Sequence, residues 1–269
     1  MNRIKSTFQV LRRDNKKAFI PFITGGFPSE KDTVELALQL AKNGADILEL
    51  GIPFSDPVAD GPTIQATSQY ALEHGTTPIS VLNIAGKIRA KSQIPIVILT
   101  YLNPVYNIGF KNFFGLAKRA GVDAVIIPDL PPDNARDLLG IAHSYGIDTV
   151  FLVTPISSDE RLKKIAKVST GFIYAVSITG VTGERRNLHA KVKHVVSRLK
   201  KMTQTPVAVG FGISNPAQAY DISRYSDGVI VGSSLLKVLL SHKAKKKAAK
   251  QKMIALASSI ARAVHSYST

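Results

Sequence analysis

The chain has 269 residues, 45% of them apolar, enough for one large α/β barrel or two small domains around a sizeable core. It contains no cysteine, which excludes disulfides, thiolate catalysis and cysteine-ligated zinc. The balance of 35 Lys plus Arg against 19 Asp plus Glu gives a net charge of +16, and no apolar run is long enough to cross a bilayer.

The first segment, 2–12, has helical spacing but is charged throughout and lacks the apolar centre of a secretory signal, so a cytoplasmic protein is expected. The first β-rich run follows at 18–24, AFIPFIT. A helical pattern at 34–45 ends in Gly44 and leads into the second run, DILELG at 46–51. Alternation puts Ile47 and Glu49 on one face of that strand and Leu48 and Leu50 on the other. Leu48 and Leu50 suit a surface packed under helices, which aims Glu49 at the inside. A carboxylate in such a run costs several kcal/mol unless it is paired, hydrogen-bonded or neutralised. It is either a rim glutamate in a salt bridge or a group with chemistry to perform.

The loop after it, IPFSDPVADGPT, carries Pro53, Pro57 and Pro62, which restrict its backbone. Pro62 is placed to start the helix IQATSQYALEHG. Asp60 reads either as a capping residue for that helix or as a second acid beside Glu49, and Asp56 lies in the turn-like Ser55-Asp56-Pro57.

Further runs recur at 95–101, 123–129, 148–154, 171–177, 206–212 and 227–233, with helical patterns such as 134–146 and 216–223 between them. Apolar strands joined by helices imply a parallel sheet covered on its faces. Eight such units in this length predict an α/β fold, a single-domain (β/α)8 TIM barrel spanning 1–269, ahead of an open doubly wound sheet. The stripe Met253, Leu256, Ala257, Ile260, Val264 suits a last outer helix.

In such barrels the active site lies at the C-terminal strand ends. Strands seven and eight end in GFGIS (210–214) and GSS (232–234), and Ser233 opens a short extra helix at 233–240. Glycines and a helix N-terminus there make a phosphate site, or else two tight turns. The Gly/Thr-rich stretch 178–189, with Arg185 and Arg186, reads as a loop able to close over a ligand. His189 and His194 lie off one helical face with no acid nearby, so no metal is expected. The basic blocks at 161–164, 191–201 and 243–252 interleave with aliphatic residues rather than aromatics. They read as solvated helix faces ahead of a nucleic-acid surface, and the field they create suits an anionic substrate.

The stretch LELGIPFSDPVADGPTIQ, together with PFITGGFP, ILTYLNPVY, VIIPDLP, FIYAVSITGVTGER, VAVGFGIS and DGVIVGSS, closely resembles the tryptophan synthase alpha chain family across nearly the whole sequence. The resemblance implies a barrel that cleaves indole-3-glycerol phosphate to indole and glyceraldehyde 3-phosphate. It implies no metal or organic cofactor of its own, and assembly into an alpha2beta2 heterotetramer with a beta chain that uses pyridoxal phosphate. It implies Glu49 as catalytic acid/base and Asp60 as the carboxylate facing the indole N–H. Phe22, Ile64 and Tyr101 would line the indole pocket, and Tyr174 would lie near the reacting glycerol. Thr182 and Gly183 would belong to the closing loop, and Gly183, Phe211, Gly212, Gly232 and Ser233 would hold the phosphate. Pro53, Asp56, Pro57 and the segment from Asn103 to Phe110 would meet the beta chain. A different phosphate-sugar barrel, a lyase active without a beta chain and a basic RNA-binding barrel are the alternatives.

Overall fold

A computed structural model describes residues 2–176, 185–210, 212–241 and 246–266. Eight parallel strands close in sequence order into a barrel: β1 (Ala18–Thr24), β2 (Leu48–Gly51), β3 (Ile96–Leu99), β4 (Ala124–Ile126), β5 (Asp148–Val153), β6 (Ile173–Val176), β7 (Val207–Gly210) and β8 (Gly228–Val231). Closure is completed by β1 pairing with β8, with Ala18 opposite Gly228 and Pro21 opposite Val231. The open-sheet alternative is thereby removed.

Around the barrel run α1 (Arg3–Arg13), α2 (Glu30–Lys42), α3 (Pro62–Glu73), α4 (Pro78–Arg89), α5 (Leu102–Ile108), α6 (Phe110–Arg119), α7 (Arg136–Ser144), α8 (Asp159–Val168), α9 (Arg185–Met202), α10 (Pro216–Ser223), α11 (Ser233–Ser241) and α12 (Lys246–His265). No helix among the described residues is long and apolar enough to cross a membrane.

Two apolar layers result from strand alternation. Leu48 and Leu50 belong to the layer between sheet and helices, whereas Ile20, Ile47, Val97, Ile126, Val150 and Ile230 fill the interior. The expected inward direction of Ile47 and Glu49 therefore holds. Ile4, Phe8 and Leu11 of α1 join the interior layer and plug the floor of the barrel. The helix ends follow the glycine signals: Gly44, Gly121 and Gly146 have φ of 100°, 74° and 65°, a region that favours glycine.

Several local readings change. Asp60 does not cap α3; the capping position is Gly61, no side chain bonds there, and Pro62 occupies the first turn. The strands are shorter than the apolar runs, because residues such as Thr100 and Tyr101 leave the ladder to build the mouth. The segment from Asn103 to Phe110, expected as a loop, is mostly α5, since Pro104 falls in the first helical turn, where a missing N–H costs nothing. The helix expected over 134–146 begins instead with a 3-10 turn at Pro132–Asn134 and becomes α-helical at Arg136.

Part of the positive charge is paired with carboxylates on neighbouring elements. Lys250 bonds Asp32 and Glu35, Arg161 and Lys164 share Asp133, Arg198 bonds Asp159, and Lys200 bonds Asp227. At the floor, Asp123 accepts from Arg3 at 2.8 Å, from Arg89 at 2.8 Å and from the backbone N–H of Ile96 at 2.8 Å. The side chains of Asp123 and Arg89 are only 7% and 12% exposed, so removing the acid strands a desolvated guanidinium. Asp123→Ala is expected to cost about 3 kcal/mol in a denaturant titration. A loss under about 0.5 kcal/mol would show that this hub does not hold α1, α4 and the β3–β4 floor together.

Candidate active site

Above the interior layer, the barrel mouth encloses a cavity of about 420 Å³. Its floor is Glu49, whose register partners are Phe22 on β1 and Val97 on β3. Glu49 is 1% exposed, and its Oε2 has no hydrogen-bond partner among the described residues. Burial pushes its carboxyl up to about 8, with a smaller push from neighbouring Asp60. Near neutral pH this acid therefore holds its proton, which is how a barrel wall accommodates it. Among the described residues no cation pairs with it, which disfavours the salt-bridge reading.

Asp60 faces the same cavity from the loop after β2. Burial raises it to about 6, opposed by a hydrogen bond donated by the Tyr101 hydroxyl. That hydroxyl in turn accepts from the backbone N–H of Ala59 at 3.1 Å. The Tyr101 ring packs on Phe54 at 5.2 Å between centroids. Tyr101 is 1% exposed and is not among the cavity-lining residues. Tyr101 thus sits one layer behind Asp60, with its ring against the β2 loop and its hydroxyl on the Asp60 carboxyl.

Phe22, Ile64 and Tyr174 do line the cavity. Tyr174 is buried, and its hydroxyl is raised well above its ordinary value by burial and then by Glu49 and Asp60, so it stays protonated. Glycines clear space for both rings. A Cβ at Gly51 would lie 2.6 Å from the Phe22 ring, and one at Gly210 would overlap the Tyr174 hydroxyl. Gly210, read as part of a phosphate turn, is thus a clearance for Tyr174. Gly212 differs: its φ is 72° and nothing lies within 4 Å of its missing Cβ, so here the backbone itself requires glycine.

Gly212, Gly232 and Ser233 border the cavity together at the β7–β8 side. Ser234 donates its hydroxyl to the Ile213 carbonyl at 2.9 Å, tying the head of α11 to the turn after β7. Thr182, Gly183 and Phe211 lie outside the described residues. Leu99, Pro128, Leu152, Val176 and Ile230 form apolar walls that motif reading passed over. Parity along each strand could have found most of them: Leu99, Leu152 and Val176 each lie two residues beyond an inward Val97, Val150 or Tyr174. Lys237 was also passed over. Among the described residues no cluster of His, Asp or Glu could hold a metal ion.

The family model described as "Tryptophan synthase alpha chain" matches residues 8–265, nearly the whole chain. The chain belongs to the tryptophan synthase alpha chain family. It is 47% identical to the tryptophan synthase alpha chain of Geotalea daltonii over 237 residues, covering 88% of this chain and 90% of the relative. The relative from Dehalococcoides mccartyi is also 47% identical, over 239 residues, covering 89% and 92%. Among solved structures, tryptophan synthase subunit alpha from Legionella pneumophila superposes with a TM-score of 0.89 at 36% identity, covering 98% of each chain. A tryptophan synthase from M. tuberculosis in an aminoacrylate-bound form superposes with a TM-score of 0.88 at 33% identity, covering 98% of this chain and 100% of that one.

The Tyr101–Asp60 contact makes a specific prediction. Tyr101→Phe removes the hydrogen bond that holds Asp60 down, so the carboxyl should titrate above about 6, read by carbon NMR of labelled Asp side chains. An unchanged Asp60 titration would take Tyr101 out of that role.

Proposed function

We propose that Glu49 and Asp60 carry out the alpha reaction of tryptophan synthase on this cavity floor. The chain is a lyase of tryptophan biosynthesis, and the reaction is the retro-aldol cleavage of indole-3-glycerol phosphate to indole and glyceraldehyde 3-phosphate. The observation that carries the residue assignment is a buried, proton-holding Glu49 facing the same cavity as the more acidic Asp60.

Cleavage requires a proton on indole C3, which leaves an indolenine-like cation, and loss of the proton from the adjacent glycerol hydroxyl as the carbon–carbon bond breaks. Glu49 starts protonated, so it donates to C3; the resulting carboxylate takes the hydroxyl proton, and the aldehyde departs. Asp60, ionised above about pH 6, faces the ring nitrogen and stabilises the positive charge that develops there. Tyr174 supplies a neutral hydroxyl beside the reacting glycerol. Phe22, Ile64 and the apolar walls hold the indole ring and keep water from the acid. Gly212, Gly232 and Ser233, with Thr182, Gly183 and Phe211, would take the phosphate at glycine turns and a helix N-terminus.

The partner belongs to the same proposal. A beta chain would dock at the barrel mouth beside Asp56, Pro57 and Asn103, all on exposed or half-exposed loop and helix ends. Val58 in the β2 loop and Tyr106 on α5, 83% and 70% exposed, put large apolar surface on the same side. Pro53 is buried, so its role is to stiffen the loop from beneath. An alpha2beta2 assembly and a cytoplasmic location complete the reading.

Three outcomes test it. Indole release from indole-3-glycerol phosphate, with and without a beta chain, separates the lyase from an RNA-binding barrel and reports any dependence on the partner. Glu49→Gln should abolish cleavage, while Asp60→Asn should lower kcat by about 10²-fold or more with a smaller effect on KM; substantial turnover in Glu49→Gln would remove Glu49 from catalysis. The pH profile follows from the two acids. Activity requires Asp60 ionised and Glu49 protonated, so kcat/KM should rise through about pH 6 and fall through about pH 8. A profile flat from pH 5 to 9 is incompatible with this assignment.

A further inference from the structure

Lys237 borders the cavity on α11, with Gly232, Ser233 and Ser234. Among the described residues that line the cavity it is the only cation, against the two acids Glu49 and Asp60. It lies four residues after Ser233, on the same helical face, and a long helical side chain leans back toward the N-terminus of its own helix. Lys237 is exposed at the cavity rim, and that lean directs it toward the first turn of α11, where the leading amides have no intrahelical acceptor.

That position is unfavourable for a cation by itself, because the helix dipole is positive there. The first turn of α11 carries no acidic residue, and Lys237 makes no hydrogen bond or ion pair among the described residues. A cation set over a positive helix end, on the wall of a cavity and without a carboxylate, is matched by an anion arriving from solution.

We infer that Lys237 binds the terminal phosphate monoester of the substrate and sets the preference for phosphorylated over unphosphorylated indole-glycerols. The inference rests on the cleavage reading above and adds a side-chain charge to a subsite otherwise made of backbone amides and a serine. The phosphate itself does not change during cleavage, so the contact is equally strong before and during the reaction. Its loss therefore belongs in KM rather than in kcat.

The test compares wild type, Lys237→Met and Lys237→Arg, each assembled with a beta chain. Substrates are indole-3-glycerol phosphate and its unphosphorylated counterpart. Lys237→Met should raise KM for the phosphorylated substrate roughly tenfold with kcat within about twofold, the scale of one exposed charge-assisted contact. Lys237→Arg should recover most of the loss, and kcat/KM for the unphosphorylated substrate should be alike in all three. A KM within about twofold of wild type in Lys237→Met, or equal losses on both substrates, overturns the inference while leaving the cleavage reading intact. If wild type releases no indole, the cleavage reading fails. Calorimetry with inorganic phosphate then still decides Lys237: weaker binding in Lys237→Met supports the contact, and equal binding overturns it.

Discussion

The buried carboxyl of Glu49 is the constraint around which the barrel mouth is built. One of its oxygens meets no donor among the described residues, and an ionised group in that position would have to be neutralised or rehydrated. Protonation resolves the conflict: the strand keeps an apolar wall, and the cavity acquires an acid that stays loaded near neutral pH. Neighbouring features serve that arrangement. Gly51 admits the Phe22 ring beside the acid, Gly210 admits Tyr174, and both rings keep water away from the carboxyl.

The cavity divides its chemistry by strand. Acidic groups come from β2 and its loop, apolar walls from β3 to β6, and glycine turns with a helix N-terminus from β7 and β8. Such a division lets one ligand be held at one end while protons move at another. Two cross-connections keep the parts in register. The Tyr101 hydroxyl joins Asp60 to its own loop, and Ser234 joins α11 to the turn after β7. Lys237 extends the second end from a set of dipoles to a site with a full charge.

The net charge of +16 is expressed mostly outside this cavity. Lys250, Arg198, Lys200, Arg161 and Lys164 each meet a carboxylate on a neighbouring element. Exposed pairs of this kind contribute at most about 1 kcal/mol each, so their stabilising effect is modest. The excess of unpaired cations sets up a field that favours an anionic substrate at long range.

Sequence alone determined the eight-strand count, the pairing of Ile47 with Glu49 on one strand face and the glycine-rich turns after the last two strands, because period-two alternation and glycine stops are local properties of the chain. The resemblance of 48–65 to one family supplied the reaction. Three things required the tertiary structure. Asp60 could be a cap or an acid until Gly61 was seen to hold the capping position. The contact between the Tyr101 hydroxyl and Asp60 depends on where the β2 loop folds back onto the end of β3. Lys237 was invisible as a site residue because nothing local distinguishes it from the other lysines. Its place follows from α11 beginning at the cavity rim, and contacts between residues far apart in the chain are decided only when the barrel closes.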